Sequence, residues 1–192
     1  MKYSCWSFLL VVGAGAAAPA PPPTAAQPPW PDAGLRTGRL SFDGKATLGD
    51  FTGVTDSVRG YMTGGARLRD VRGWVEAPVR TLKTGNNRRD RDLYSTMDAD
   101  IMPNLRFQLE GVEPEWERGD SAAVLLSGSF VIHGVSRPER VMALVHRTGD
   151  GIRITASLPM NLKDYGIGGL TRFLVFRMRP DIMVNVDLTF RR

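Results

Sequence analysis

Thiols, imidazoles and lysines are scarce in this chain of 192 residues. Its one cysteine is Cys5, its histidines are His133 and His146, and its lysines are Lys2, Lys45, Lys83 and Lys163. A lone cysteine forms no intrachain disulfide, so a folded domain must be held by a buried core. So few thiol and imidazole groups disfavour metal sites and histidine-based hydrolysis. The sequence contains no glycine-rich loop ending in Lys-Ser or Lys-Thr and no Gly-x-Ser-x-Gly elbow, so the common nucleotide-binding and acyl-transfer signatures are missing. A non-catalytic protein without a cofactor is the expectation. The net charge is +5, but the arginines are scattered, whereas nucleic-acid binders gather them on one face. Nucleic acid is not expected as a partner; a modest, transient pull toward anionic membrane surfaces is.

What is present divides the chain in three. Lys2 precedes an almost uncharged stretch to Ala18 that is too short to span a bilayer comfortably and is followed by small residues. This reads as a secretory signal over residues 1–26, cut after Ala26, with an uncleaved membrane anchor as the alternative. Export places the mature chain in the periplasm. Prolines crowd the next stretch (Pro19, Pro21, Pro22, Pro23, Pro28, Pro29, Pro31), so residues 27–36 read as an extended linker. Residues 37–192 read as one domain.

In that domain apolar residues recur at every second position, the mark of half-buried strands. The rows are Leu40, Phe42, Gly44; Val71 through Val79; Leu105, Phe107, Leu109; Val124 through Ile132; Ile152 through Leu162; and Ile182 through Phe190. Turn signals stand at Asp43-Gly44, Gly64-Gly65, Gly119-Asp120, Gly134 and Gly149-Asp150-Gly151. Short links imply hairpins and antiparallel pairing, so seven or eight strands form a sandwich or a barrel. Residues 86–97 break the period. Leu93 and Met97 are four apart, and Asn86 or Asn87 can cap a helix start, so a short helix is expected over a barrel mouth.

Charged groups offer few candidates. Arg88-Arg89-Asp90-Arg91-Asp92 could meet a phosphate at the helix start, or simply form a solvated helix face. Asp98 and Asp100 read as solvated acids on one strand, and both histidines as turn or surface groups. An eight-stranded barrel either fills with its own side chains or holds one small ligand.

Four segments then resemble a known family. Thr84-Gly85-Asn86 with Arg89-Asp90 and Leu93 is similar to the Thr-x(4)-Arg-Asp-x-x-Leu signature of the YceI-like family, the polyisoprenoid-binding proteins of bacterial periplasms. Pro103 and Phe107 resemble its Tyr-Pro-x-x-x-Phe element, with Met102 in place of Tyr. Gly128 through Pro138 resembles its strand and Gly-Val-Thr-x-Pro turn, and Leu162 through Ile167 its Leu-x-Asp-aromatic-x-Ile segment.

The resemblance implies an antiparallel lipocalin-like barrel of about eight strands with one or two short helices, holding a long apolar lipid in a tunnel. The ligand would be a polyisoprenoid, a quinone-like molecule or a fatty amphiphile. The candidate lining is Phe42, Leu93, Phe107, Phe130, Ile132, Leu158, Met160, Tyr165, Phe173, Phe176, Val184 and Leu188. Arg89 and Lys163 are the head-group candidates. The other reading is a structural or stress-response domain with a filled barrel and a protein partner. A monomer or a homodimer fits either.

Overall fold

The computed structural model describes residues 29–46, 49–167 and 178–192. The expected signal segment lies outside them, as do Phe173 and Phe176. Nine strands form one antiparallel sheet: β1 (Ala33–Ala46), β2 (Phe51–Thr55), β3 (Arg59–Thr63), β4 (Arg72–Pro78), β5 (Asn104–Arg118), β6 (Ser121–Ile132), β7 (Val135–Thr148), β8 (Gly151–Asn161) and β9 (Met178–Arg191). The sheet closes because β1 also pairs with β9, from Gly34 opposite Arg191 to Ala46 opposite Met178. On its other edge β1 pairs with β2 through Leu40–Gly44 and with β3 through Ala33 and Gly34. β2 and β3 therefore act as one interrupted strand, and the ring is an eight-stranded barrel.

Tight turns fix the register. His133 and Gly134 both adopt left-handed φ values, 50° and 72°, between Ile132 and Val135, which pair. A two-residue turn with both φ positive carries the twist that hairpins need. β7 and β8 are likewise joined through Gly149 and Asp150. Asp43-Gly44, by contrast, is no turn. It lies inside β1, where a Cβ on Gly44 would stand 2.8 Å from the Phe51 ring, so the glycine makes room for an aromatic.

The row ending at Leu109 also proves longer than its pattern. β5 continues to Arg118, but its register shifts between Leu109 and Gly111 and again between Pro114 and Trp116. Such bulges move the inward position by one residue, and Val112 becomes the next buried side chain. β8 stops at Asn161, and Leu162, expected to extend its row, instead opens a 3-10 turn, Leu162–Tyr165, capped by the Asn161 side chain. The folded part begins before residue 37. β1 starts at Ala33, and Trp30, within the stretch read as linker, is 7% exposed and exchanges two backbone hydrogen bonds with Gly65.

The helix forms where the period breaks. α1 (Asn87–Thr96) starts at Asn86, whose side chain accepts from the Arg88 and Arg89 amides at 3.0 and 3.1 Å. It ends before Asp98, which adopts φ 45°. Asp98 and Asp100 thus sit in the turn after the helix, not on a strand. Asp98 accepts from His133 Nε2 at 2.9 Å, and Asp100 pairs with Arg80.

The core has two parts. One gathers Trp30, Met62, Leu68, Val71, Val112, Val124, Val145, Ile152, Leu188 and Phe190. The other gathers Phe42, Val79, Leu82, Met97, Ile132, Val141, Leu158, Met160, Tyr165, Ile167, Ile182 and Val184, with Leu93 and Tyr94 of α1 packed against it.

Candidate functional site: an apolar cavity in one half of the barrel

The two parts of the core differ in what they leave empty. Inside the Trp30 half lies a cavity with about 1080 Å³ of space between atoms, solvent at its opening included. Within it the centre of a water-sized sphere can range over about 120 Å³. Every strand of the sheet except β2 contributes to the wall: Leu40, Met62, Val75, Ala77, Leu105, Phe107, Leu109, Val112, Val124, Leu126, Phe130, Val141, Val145, Ile152, Ile154, Leu158, Val186 and Leu188. These are the inward positions of the alternating rows, which is why the wall is hydrocarbon. Phe107 and Phe130, paired across β5 and β6, bring their ring centroids to 4.6 Å at an interplanar angle of 42°. A side chain at Gly128 would meet the Phe107 ring at 2.7 Å, so the glycine lets that ring lie along the wall.

Trp30 and Leu68 stand at one end of the cavity. The Arg147 guanidinium lies 3.8 Å from the Trp30 ring centroid, a cation–π arrangement. Gly64 passes so close to the Trp30 carbonyl that a Cβ would sit 1.9 Å from it. Three charged residues border the cavity, Arg72 and Glu76 on β4 and Arg106 opposite Glu76 on β5. The Glu76 carboxylate lies 2.5 Å from Arg59 and 3.4 Å from Arg106. Arg106 stacks on Trp74, and Arg72 donates to the carbonyls of Arg69 and Val71 at 2.9 and 2.8 Å. Their charges are engaged within the wall rather than offered to a guest.

Four of the expected lining residues meet at the cavity: Phe107, Phe130, Leu158 and Leu188. Phe42, Ile132, Met160, Tyr165 and Val184 belong to the packed half, and Leu93 lies against it. Neither head-group candidate borders the cavity. Arg89 donates to the Thr84 carbonyl at 2.7 Å and stacks 4.1 Å above the Phe51 ring, while Lys163 is exposed on the 3-10 turn. Sequence reasoning missed Trp30, a lone aromatic among prolines, and Met62 on the short β3.

The Thr-to-Leu motif around α1 locks the packed end. Asp90 is 4% exposed, and its Oδ1 accepts from the Thr84 amide at 2.8 Å and the Thr84 hydroxyl at 2.6 Å. Within the charged run Arg88 and Arg91 are exposed, as on a solvated helix face, whereas Arg89 and Asp90 turn inward. Tyr165, wholly buried, donates to Glu139 at 3.0 Å. Burial first, then the Glu139 carboxylate, holds its phenol protonated well above the ordinary tyrosine range. Among the described residues no cluster of three metal-ligating side chains occurs, and no helix is long and apolar enough to cross a membrane.

The family model of the YceI-like domain matches residues 36–190. No curated protein matches. Among solved structures, the chain is similar to a polyisoprenoid binding domain from Saccharophagus degradans implicated in plant cell wall breakdown, with a TM-score of 0.70 and 14% identity over 84% of this chain and 98% of that one. BcnA of Burkholderia cenocepacia gives 0.68 and 14% identity over 79% and 95%. The YceI protein of Campylobacter jejuni gives 0.52 and 16% over 63% and 72%. At such identities the likeness concerns the fold. With the family model covering all but the ends of the folded part, the chain belongs to the YceI-like family.

Proposed function

We propose that the protein is a non-catalytic periplasmic carrier that holds the apolar chain of a single amphiphile in the Trp30 half of its barrel. The observation that carries this reading is the cavity itself: a wall almost wholly of hydrocarbon, built mainly by residues that alternation aims inward. An apolar void in a closely packed interior sacrifices dispersion contacts, and a hydrocarbon guest restores them. Burial of a chain contributes about 0.8 kcal/mol per CH2 before the cost of association. A structural similarity to a polyisoprenoid binding domain supports the choice of guest chemistry. The uncharged N-terminal stretch, which reads as a secretory signal, supports the compartment.

The test is to isolate the protein from the periplasm of its own cells and weigh it intact by native mass spectrometry. One added lipid mass per chain, lost on solvent extraction and regained on add-back, is expected. A guest-free protein that also refuses add-back of every alkyl and prenyl lipid offered overturns the reading.

A further inference from the structure

From the dimensions of the cavity, and resting on the carrier reading, we infer that the barrel measures chain length: it takes one chain of about 12 to 14 in-line carbons, as in a medium-length alkyl group or three isoprene units. The wall runs from Ile152 to Leu158 along β8 and from Leu105 to Val112 along β5. At about 3.3 Å per residue and a strand tilt of about 40°, these stretches span about 15 to 18 Å of the barrel axis. A carbon chain with bonds of about 1.5 Å and angles of about 111° advances about 1.25 Å per carbon. The axial room therefore matches about 12 to 14 carbons.

The width admits one chain. Spread over that axial span, about 120 Å³ of room for sphere centres is a core about 1.5 to 1.6 Å in radius, and adding the sphere's own radius of about 1.4 Å gives a bore about 3 Å in radius. Carbon–carbon contacts of about 3.5–4.0 Å give a hydrocarbon chain a radius of about 2 Å. One extended chain, methyl branches included, fits that bore. Two side by side do not.

The floor is built. Phe130, Val141 and Leu158 border the cavity and also belong to the packed cluster. Behind them stand Ile132, Met160 and Val184, which do not border it. The ruler is therefore set by Leu158 and its neighbours, and a longer chain must leave its excess outside.

Isothermal titration with straight-chain 1-alkanols of graded length, and with prenyl alcohols of three and nine isoprene units, reads the ruler. Affinity should rise about fourfold per added carbon up to about 14 carbons and then stop rising, and the nine-unit alcohol should bind no tighter than the three-unit one. Leu158→Ala should move the break point to longer chains. Ala156 also borders the cavity, between Ile154 and Leu158; Ala156→Leu, which fills wall space without removing a core group, should move the break point to shorter chains, and keeps the test readable should Leu158→Ala fold poorly. Affinity that keeps climbing to the nine-unit alcohol, or a break point that Ala156→Leu leaves in place, overturns the ruler while the carrier reading stands. Absence of binding at every length overturns both.

Discussion

One barrel wall encloses two different interiors. Around Phe42, Ile132, Met160, Tyr165 and Val184 side chains meet in a filled core, sealed by α1 and the 3-10 turn that carries Tyr165. Around Phe107, Val124, Val186 and Leu188 the same inward alternation leaves a void. The difference lies in what enters from the ends. The filled half receives Leu93, Tyr94 and Met97 from the helix region and Tyr165 and Ile167 from beyond β8. Among the described residues, the connections give the hollow half only Trp30, Leu68 and Val71, with Val58 packed against them. A closed sheet of eight strands is wide enough for either outcome, so the contents are set by the connections rather than by the strands.

The largest expected effect tests that contrast through stability. Phe42→Ala, in the filled half, should cost about 3–5 kcal/mol in urea unfolding, the range for deleting a packed aromatic. Phe107→Ala, beside the void, should cost less, because its ring already lacks neighbours on one side. Equal losses would remove the distinction between the halves.

The seal of the filled half comes next. Asp90→Ala frees two donors on Thr84 and should cost about 2–3 kcal/mol, again read by urea unfolding. A cost near zero would show that the motif does not hold the helix end.

Insertion should have opposite signs in the two halves. Ala156→Leu fills void and should stabilise the ligand-free protein by about 1 kcal/mol. Ala99, in the turn after α1, is buried in the filled half, and Ala99→Leu should destabilise the protein by about 1–3 kcal/mol through overpacking. Two destabilising results would mean that the hollow half collapses in solution.

The smallest effect is confined to alkali. The Tyr165 phenol has a folded pKa raised above its ordinary value of 10.0. Its contribution is thus complete below about pH 10 and is lost as pH rises through the folded value. Tyr165→Phe should flatten the stability profile above about pH 10 and leave it unchanged in shape at neutral pH. A wild-type profile already flat through alkali would contradict the buried phenol.

Much of this architecture was legible in the sequence, for a physical reason. Strands buried on one face alternate, and the rows of β8 and β9 did so without interruption from Ile152 to Met160 and from Ile182 to Phe190. Where a bulge shifted the period, as after Leu109, the row seemed to end although the strand ran on. Asp43-Gly44 has the composition of a turn, but the glycine there answers a ring on the neighbouring strand. The site was legible only in part. Alternation tells which side chains point inward and nothing about the height at which space remains, so Leu158 and Met160, two positions apart on β8, looked alike although only Leu158 borders the cavity. Arg89 and Asp90 sit in a run of charges that reads as solvent-facing, and their inward turn depends on Phe51 and Thr84, which the fold brings to them.

The most direct measurement of the central claim is an isotope-filtered NMR spectrum of methyl-labelled protein holding an unlabelled C12 alkanol. Contacts from the alkyl protons to the methyl groups of Val145, Val186 and Leu188, with none to Ile132, Ile182 and Val184, are the expected result. Contacts to the second set, or none to the first, would contradict a guest seated in the Trp30 half.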